Sequence, residues 1–250
     1  MSPPDRLPPT PAPNSPREDG AGLGLGAGVR ERTEMDFLPD RLIAADLMAS
    51  LGQGIIGRRI IVLESTGSTN DFLHKMLTPG LPEGFVVFAE EQTAGRGQHG
   101  NRWVSTSHLG LWFSILLRPM LPLAESARLT NWAAEAIAAT IRREFPLLPT
   151  IKPPNDVYVD GRKVAGVLVE TKAGPGPEFA AIVGIGVNLN QQPEDFPVEL
   201  RERAGSLAMA LGRRVVRSDF AIALLLELEG TRESTLSRQP SAPISARQRR

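Results

Sequence analysis

Glu91–Gln92–Thr93–Ala94–Gly95–Arg96–Gly97–Gln98–His99–Gly100–Asn101–Arg102–Trp103 is the stretch whose surroundings decide the fold. Gly95, Gly97 and Gly100 spell GxGxxG, the spacing of a dinucleotide-binding loop, which needs a helix opening at its third glycine. Here Trp103–Val104–Ser105–Thr106–Ser107 follows instead, and then the apolar run Leu111 to Leu117, which reads as a strand. A doubly wound sheet therefore fits poorly. What remains is a glycine loop carrying Arg96 and Arg102 beside an aromatic. Such a loop suits closure over a phosphate with guanidinium donors and stacking of a purine on Trp103. The plain alternative is a surface loop with a half-buried Trp.

Working outward, Phe85 to Ala89 and Arg59 to Leu63 read as strands, and Ser68 or Thr69 can cap a helix through Leu77, where Pro79 and Gly80 end it. Upstream, Leu38, Leu42, Ile43, Leu47 and Leu51 recur at helical spacing until Gly52 and Gly54. Downstream, an amphipathic helix runs from about Ser126 to Phe145, with Leu129, Trp132, Ala133, Ala136, Ile137, Thr140 and Ile141 as its stripe. Val157 to Val159 and Val164 to Val169 flank Asp160–Gly161, the signal for a tight hairpin with both central residues at positive φ. Glu178 to Leu189 supplies a further strand, and short helices lie near Ser206 to Leu211 and Asp219 to Leu228. Hairpins mixed with helices predict an α+β domain built on a mixed β-sheet.

The ends differ in composition. Residues 1–33 hold seven Pro and a run of alternating glycines, Gly22 to Gly28, with no strand before it and no helix after it. From about Thr231 the chain is rich in Ser, Arg, Gln and Pro. Both ends read as disordered tails, because such compositions bury too little apolar surface to offset ordering entropy. That leaves 34–230 as the folded domain.

The chain has 250 residues, ample for a full core, with 28 Lys plus Arg against 28 Asp plus Glu. Zero net charge gives no basic field for nucleic acid, so an anionic ligand needs a local site. The absence of Cys removes thiolate nucleophiles and Cys-type metal sites. His74, His99 and His108 show no regular ligand spacing, so no metal site is expected. No apolar run approaches the ~20 residues of a membrane span and the first residues lack a signal-peptide core, so the protein reads as soluble and cytoplasmic.

Three further stretches carry polar groups at the ends of apolar runs. In Lys152–Pro153–Pro154–Asn155–Asp156 two prolines hold the chain extended, presenting Lys152, Asn155 and Asp156 at a stiff bend. Lys163 follows the hairpin turn and shares parity with Ala165, Val167 and Val169. It is either a turn residue reaching solvent or a cation kept at a buried site. Ser65 to Asn70 and Gly184 to Asn188 complete the set, the first explicable as a helix cap alone.

Together these segments resemble the biotin-protein ligases in wording and order: STN, QxxGRGxxGxxW, KxPND, GRKVAG and GIGVN, from about Arg59 to Asn190. The resemblance implies a mixed sheet with helices on one side, similar to class II aminoacyl-tRNA synthetases. It implies ATP-dependent formation of biotinyl adenylate and transfer of biotin to a lysine of a biotin carboxyl carrier protein. Mg²⁺ would arrive mainly through the nucleotide phosphates. By motif position, Ser68, Thr69, Asn70 and Gln92 would hold biotin, with Gly95, Arg96, Gly97, Gln98 and Gly166 around it. Arg96 would clamp the biotin carboxylate and the nucleotide phosphate. Trp103 would stack on adenine, and Asn155, Asp156 and Asn188 would sit near the adenylate. Lys163, with Lys152 close by, would contact the biotin carboxylate and the α-phosphate. The resemblance also allows a homodimer.

Several positions depart from the family pattern. Gln98 and Asn101 stand where many members carry loop arginines, and Pro153 where an aromatic is common. The usual C-terminal barrel is not expected, since no strand signal follows Gly230, and residues 1–33 cannot form a winged helix. Two rival functions stay open: a lipoate or octanoate ligase or transferase, whose RRxxGGG run is not seen, and a non-catalytic biotin- or carrier-binding protein.

Overall fold

The computed structural model describes residues 40–173 and 179–236. The N-terminal tail, the last residues of the C-terminal tail, Leu38 and Glu178 lie outside these. The elements in chain order are α1 (Ala44–Leu51), β1 (Arg59–Thr66), α2 (Thr69–Met76), β2 (Phe85–Gln92), β3 (Gly110–Leu117) and α3 (Ala127–Glu144). They continue with β4 (Thr150–Lys152), β5 (Asp156–Val159), β6 (Arg162–Ala173), β7 (Phe179–Asn188), α4 (Leu207–Leu211) and α5 (Arg217–Leu236). The strands form one seven-stranded sheet in the order β1-β2-β3-β7-β6-β5-β4, with β1 and β2 parallel and every other pair antiparallel. This is the α+β mixed sheet read from the hairpins.

Alternation along β3, β6 and β7 gives the sheet two different faces. One carries Phe113, Ile115, Val167, Val183, Ile185 and Val187, which enter the main core with the α3 and α5 stripes. The other carries Gly166, Gly186 and Trp112 in one row and Leu168, Gly184 and Ser114 in the next. All of β3 is buried because both of its faces are covered, which is why it reads as a continuous apolar run rather than an alternating one. Helices are not confined to one side, as the resemblance implied. α2 lies on the second face, where Leu73 joins Val87, Leu116 and Ile182 in a smaller apolar cluster.

The α3 stripe is buried at every position anticipated from its spacing. α5 runs further than expected, to Leu236. Trp132 Nε1 donates to Thr231 Oγ1 at 3.0 Å, Arg128 donates to the Thr235 carbonyl, and Leu236 is buried. Contacts with α3 thus order a segment whose polar composition read as tail. The first helix starts later than its apolar spacing suggested. The Leu42 amide donates to Glu90 Oε1 at 2.8 Å, which holds the chain before α1 non-helical.

At the hairpin, Asp160 and Gly161 have φ of 50° and 74°, the two positive values anticipated. Beside it lies a bulge: Val157 pairs with Ala165 but Tyr158 pairs with Lys163, so Val164 is the extra residue. This corrects the parity argument. Lys163 leaves the face of Ala165 and Val167 and joins that of Gly166. β4 was not foreseen, because Lys152 and the prolines after it (Pro153–Pro154 is a cis peptide) read as a bend. Among the described residues no helix is long and apolar enough to cross a membrane.

Candidate functional site

On the second face, the loop after β2, the N-terminus of α2 and the β4–β5 connection enclose a cavity of about 440 Å³. Its floor is the row of glycines. Trp103 lies so close to Gly186 that a Cβ there would fall 2.6 Å from the indole Cε2 and Nε1, and one at Gly184 would fall 2.4 Å from Asn70 Oδ1. The glycines are therefore space for an indole and an amide. Gly186→Ala should lift Trp103 from the sheet at about 1–3 kcal/mol, the usual cost of overpacking. Urea unfolding and tryptophan emission check this. Parental stability with parental emission would show that the floor tolerates a methyl group.

One wall is a closed polar network. Thr69 donates from its amide (2.8 Å) and hydroxyl (3.1 Å) to Gln92 Oε1, and Gln92 Nε2 donates to Ser105 Oγ at 2.9 Å. The Ser114 hydroxyl lies 2.7 Å from Thr69 Oγ1 and 2.6 Å from Asn70 Oδ1, which share its one proton. Ser114 is fully buried, and sequence reasoning passed over it. A lone hydroxyl within Leu111 to Leu117 was the available signal. Ser68 precedes α2 without a side-chain capping bond, so the bland cap reading of this stretch fails, and Ser68 is buried beside the cavity.

The glycine loop is a tight turn, not the start of a long helix. Arg96 and Arg102 form an isolated β-bridge, the Gly97 amide donates to the Asn101 carbonyl at 2.7 Å, and a 3₁₀ turn spans Gln98–Gly100. At the base of the loop Arg96 donates to both oxygens of Glu170, at 3.0 and 2.9 Å, and to Asp71 Oδ1 at 2.6 Å. Burial lowers the Arg96 pKa, but the hydrogen bonds and charges of Glu170 and Asp71 outweigh it, so the guanidinium is held above its usual value. Neither carboxylate was singled out from the sequence.

Lys163 sits opposite. Its Nζ is 2.6 Å from Asp156 Oδ1 and 5.3 Å from the centre of the Trp103 ring. Its backbone is clamped, the amide donating to the Arg203 carbonyl at 2.8 Å and the carbonyl accepting from the Gly205 amide at 2.9 Å. Lys152 reaches the cavity with Nζ 6.0 Å above the Tyr158 ring. The Asn155 side chain donates to the Val167 carbonyl at 3.2 Å, holding the β4–β5 connection against β6.

The structure thus brings Ser68, Thr69, Asn70, Gln92, Arg96, Gly97, Gln98, Trp103, Lys152, Asn155, Asp156, Lys163 and Gly166 to one cavity. Gly95 and Asn188 do not line it. Gly95 accepts through its carbonyl from the Trp103 amide at 2.9 Å. Asn188 is buried and donates to the Gly205 carbonyl at 2.9 Å, so it supports the clamp on Lys163. Among the described residues no group of three or more His, Asp or Glu side chains is placed to hold a metal ion.

Residues 62–188 match the profile of the Biotin/lipoate A/B protein ligase family. The chain is 36% identical over 191 residues to the bifunctional ligase/repressor BirA of Bacillus subtilis, covering 76% of this chain and 59% of that protein. It is 40% identical over 141 residues to the biotin–[acetyl-CoA-carboxylase] ligase of Paracoccus denitrificans, covering 55% of this chain and 58% of that one. It therefore spans a little under three fifths of these relatives' length. Among solved structures, the biotin protein ligase from Aquifex aeolicus in complex with biotin and ATP superposes with a TM-score of 0.60 at 30% identity, covering 71% of this chain and 72% of that one. The profile match begins in β1, ends at the last residue of β7 and takes in the glycine floor, the loop and the clamped lysine. On that evidence the chain belongs to the Biotin/lipoate A/B protein ligase family.

Proposed function

We propose that this chain joins biotin to AMP, consuming ATP, and then passes the biotinyl group to a lysine of a biotin carboxyl carrier protein. The observation that carries the reading is the placement of Lys163, by the bulge at Val164, on the same sheet face as the glycine floor and the Thr69–Gln92–Ser114 wall. An ureido ring offers both donors and acceptors, and the wall presents amide and hydroxyl groups already fixed by one another. In the first step the biotin carboxylate attacks the α-phosphorus and pyrophosphate leaves. Two anionic groups must approach, so fixed positive charge is needed where negative charge accumulates. Lys163 and Lys152 supply it from opposite sides. Trp103 would offer its free face to adenine, with Asn155 and Asp156 beside the nucleotide. In the second step the carrier amine attacks the acyl carbon and AMP leaves.

Mg²⁺ would enter with ATP, held mainly by its phosphates. The catalytic unit would run from about residue 34 through the end of α5 at Leu236, a homodimer is compatible with it, and a cytoplasmic setting would suit a carrier-protein substrate. The relatives named for biotin and the Aquifex complex with biotin and ATP support this reading.

Exchange of labelled pyrophosphate into ATP should depend on biotin. Exchange with lipoate or octanoate but not biotin would favour the rival enzyme, and none with any acid would favour a binding protein. Gln98 lines the cavity yet offers a neutral amide where a guanidinium could hold the carboxylate or phosphate. Gln98→Arg should slow release of biotinyl adenylate about tenfold, the effect of one hydrogen bond to a charged group. An unchanged release rate would remove Gln98 from the lid.

A further inference from the structure

The carboxylate of Glu170 meets two different parts of the site. Its two oxygens accept from Arg96 in a bidentate pair, and Oε2 also accepts from Asn70 Nδ2 at 2.7 Å. Asn70 continues through Ser114 to Thr69 and so to Gln92. Glu170 thus lies in the one chain of bonds joining the polar wall of the pocket to the base of the glycine loop. Arg96 stands at that base, in the bridge with Arg102 that closes residues 97–101 into a turn.

Charge is the second observation. Arg96 brings one positive charge against two negative ones, Glu170 and Asp71, and His74 Nε2, at 3.8 Å from Glu170, adds positive charge only when protonated. A cluster that is not net positive gives no attraction to a carboxylate approaching a phosphate. Two carboxylates hold three of the guanidinium's bonds, including the pair of parallel bonds that a bidentate anion would need. An anionic substrate would have to displace Glu170 first.

We propose that Glu170 is a positioning residue that anchors Arg96, so that Arg96 fixes the base of the glycine loop against the biotin pocket instead of neutralising the substrate. The proposal rests on the functional reading given above only for the site's ligand, since the anchoring is a property of the empty site. It assigns the countercharge for adenylation to Lys163 and Lys152, and it links the pocket to the loop. Groups that grip biotin through Asn70 and Thr69 also set where the loop begins.

The test uses the full chain, Glu170→Gln, Arg96→Ala and the double variant. Gln keeps an acceptor for Asn70 and removes only the charge that holds Arg96. The first readout needs no substrate: tryptic cleavage after the exposed Arg102, followed by fragment mass. Each single variant should be cleaved about tenfold faster, the consequence of losing hydrogen bonds to a charged group, and the double no faster than either. The second readout is biotin-dependent pyrophosphate exchange. The KM for biotin should rise about tenfold in both single variants, with kcat changed by less than about threefold, because loop placement is lost rather than transition-state charge. Parental cleavage of Glu170→Gln would overturn the proposal. So would an Arg96→Ala variant that loses kcat at constant KM while Glu170→Gln keeps both, since Arg96 would then act on the substrate. If no variant nor the parent exchanges pyrophosphate, the functional reading fails, and the cleavage rates alone decide whether Glu170 holds the loop.

Discussion

Replacing Lys163 by Ala should lower the rate of biotinyl adenylate formation by at least about two orders of magnitude, the scale of removing one fixed charge from a developing anion. At 1.36 kcal/mol per factor of ten this is about 2.7 kcal/mol of transition-state stabilisation. Geometry makes so large a share plausible for one residue. The bulge turns the lysine into the cavity, the Arg203 and Gly205 backbone groups fix its main chain, and Asp156 and Trp103 direct its side chain. A group already in place needs no reorganisation when charge builds up. Stability should change little, because the side chain is 30% exposed and its pair with Asp156 is worth ~0–1 kcal/mol after solvent screening. Lys163→Arg should recover only part of the rate, since a planar fork does not occupy the place of a compact ammonium. Single-turnover adenylate formation beside thermal melting decides the matter. A melting temperature that falls together with activity would make Lys163 a structural residue.

The largest expected effect on stability lies away from the cavity. Arg217 has no exposed side-chain surface and Glu90 has 2%, and their atoms meet at 2.6 Å. Each is bonded further. Arg217 donates from Nε to the Gly110 carbonyl at 2.9 Å and to the Asp40 carbonyl, while Glu90 accepts from the Leu42 amide at 2.8 Å. The pair therefore ties together the start of α5, the end of β2, the start of β3 and the chain before α1. Arg217→Met should cost about 3–5 kcal/mol, because it strands a carboxylate in the interior without its counter-ion. Adding Glu90→Gln to Arg217→Met should restore part of the loss by removing that charge. Urea midpoints for the parent and both variants measure it. A loss below about 1 kcal/mol would mean that water or His108, whose Nδ1 is 3.2 Å from Glu90 Oε2, already compensates the charge.

Local signals were legible wherever one residue type answers one backbone demand. Asp160–Gly161 announced two positive φ values, the apolar spacing of α3 announced its buried stripe, and the run after Trp103 excluded the dinucleotide loop. The motif order likewise brought thirteen of the fifteen candidate residues to one cavity, leaving out Gly95 and Asn188. The misses share a cause. Lys163 was given the wrong face because a single bulge reverses parity, and nothing in Val164 marks it as the extra residue. The last turns of α5 looked like tail because their order comes from Trp132 and Arg128, far away in the chain.

The sequence by itself determined the class of fold, the hairpin and the family, since these depend on periodicity, turn chemistry and motif wording, all of which are local. Tertiary structure alone decided how the charges are spent. Asp71 and Glu170 lie far apart in the chain, and only the packing of α2 on β6 and β7 brings both to Arg96. Glu90 and Arg217 meet only because α5 folds back across the sheet. An ionisable side chain acquires its role from the charges and dielectric around it, and those neighbours are fixed by the fold rather than by adjacency in the chain.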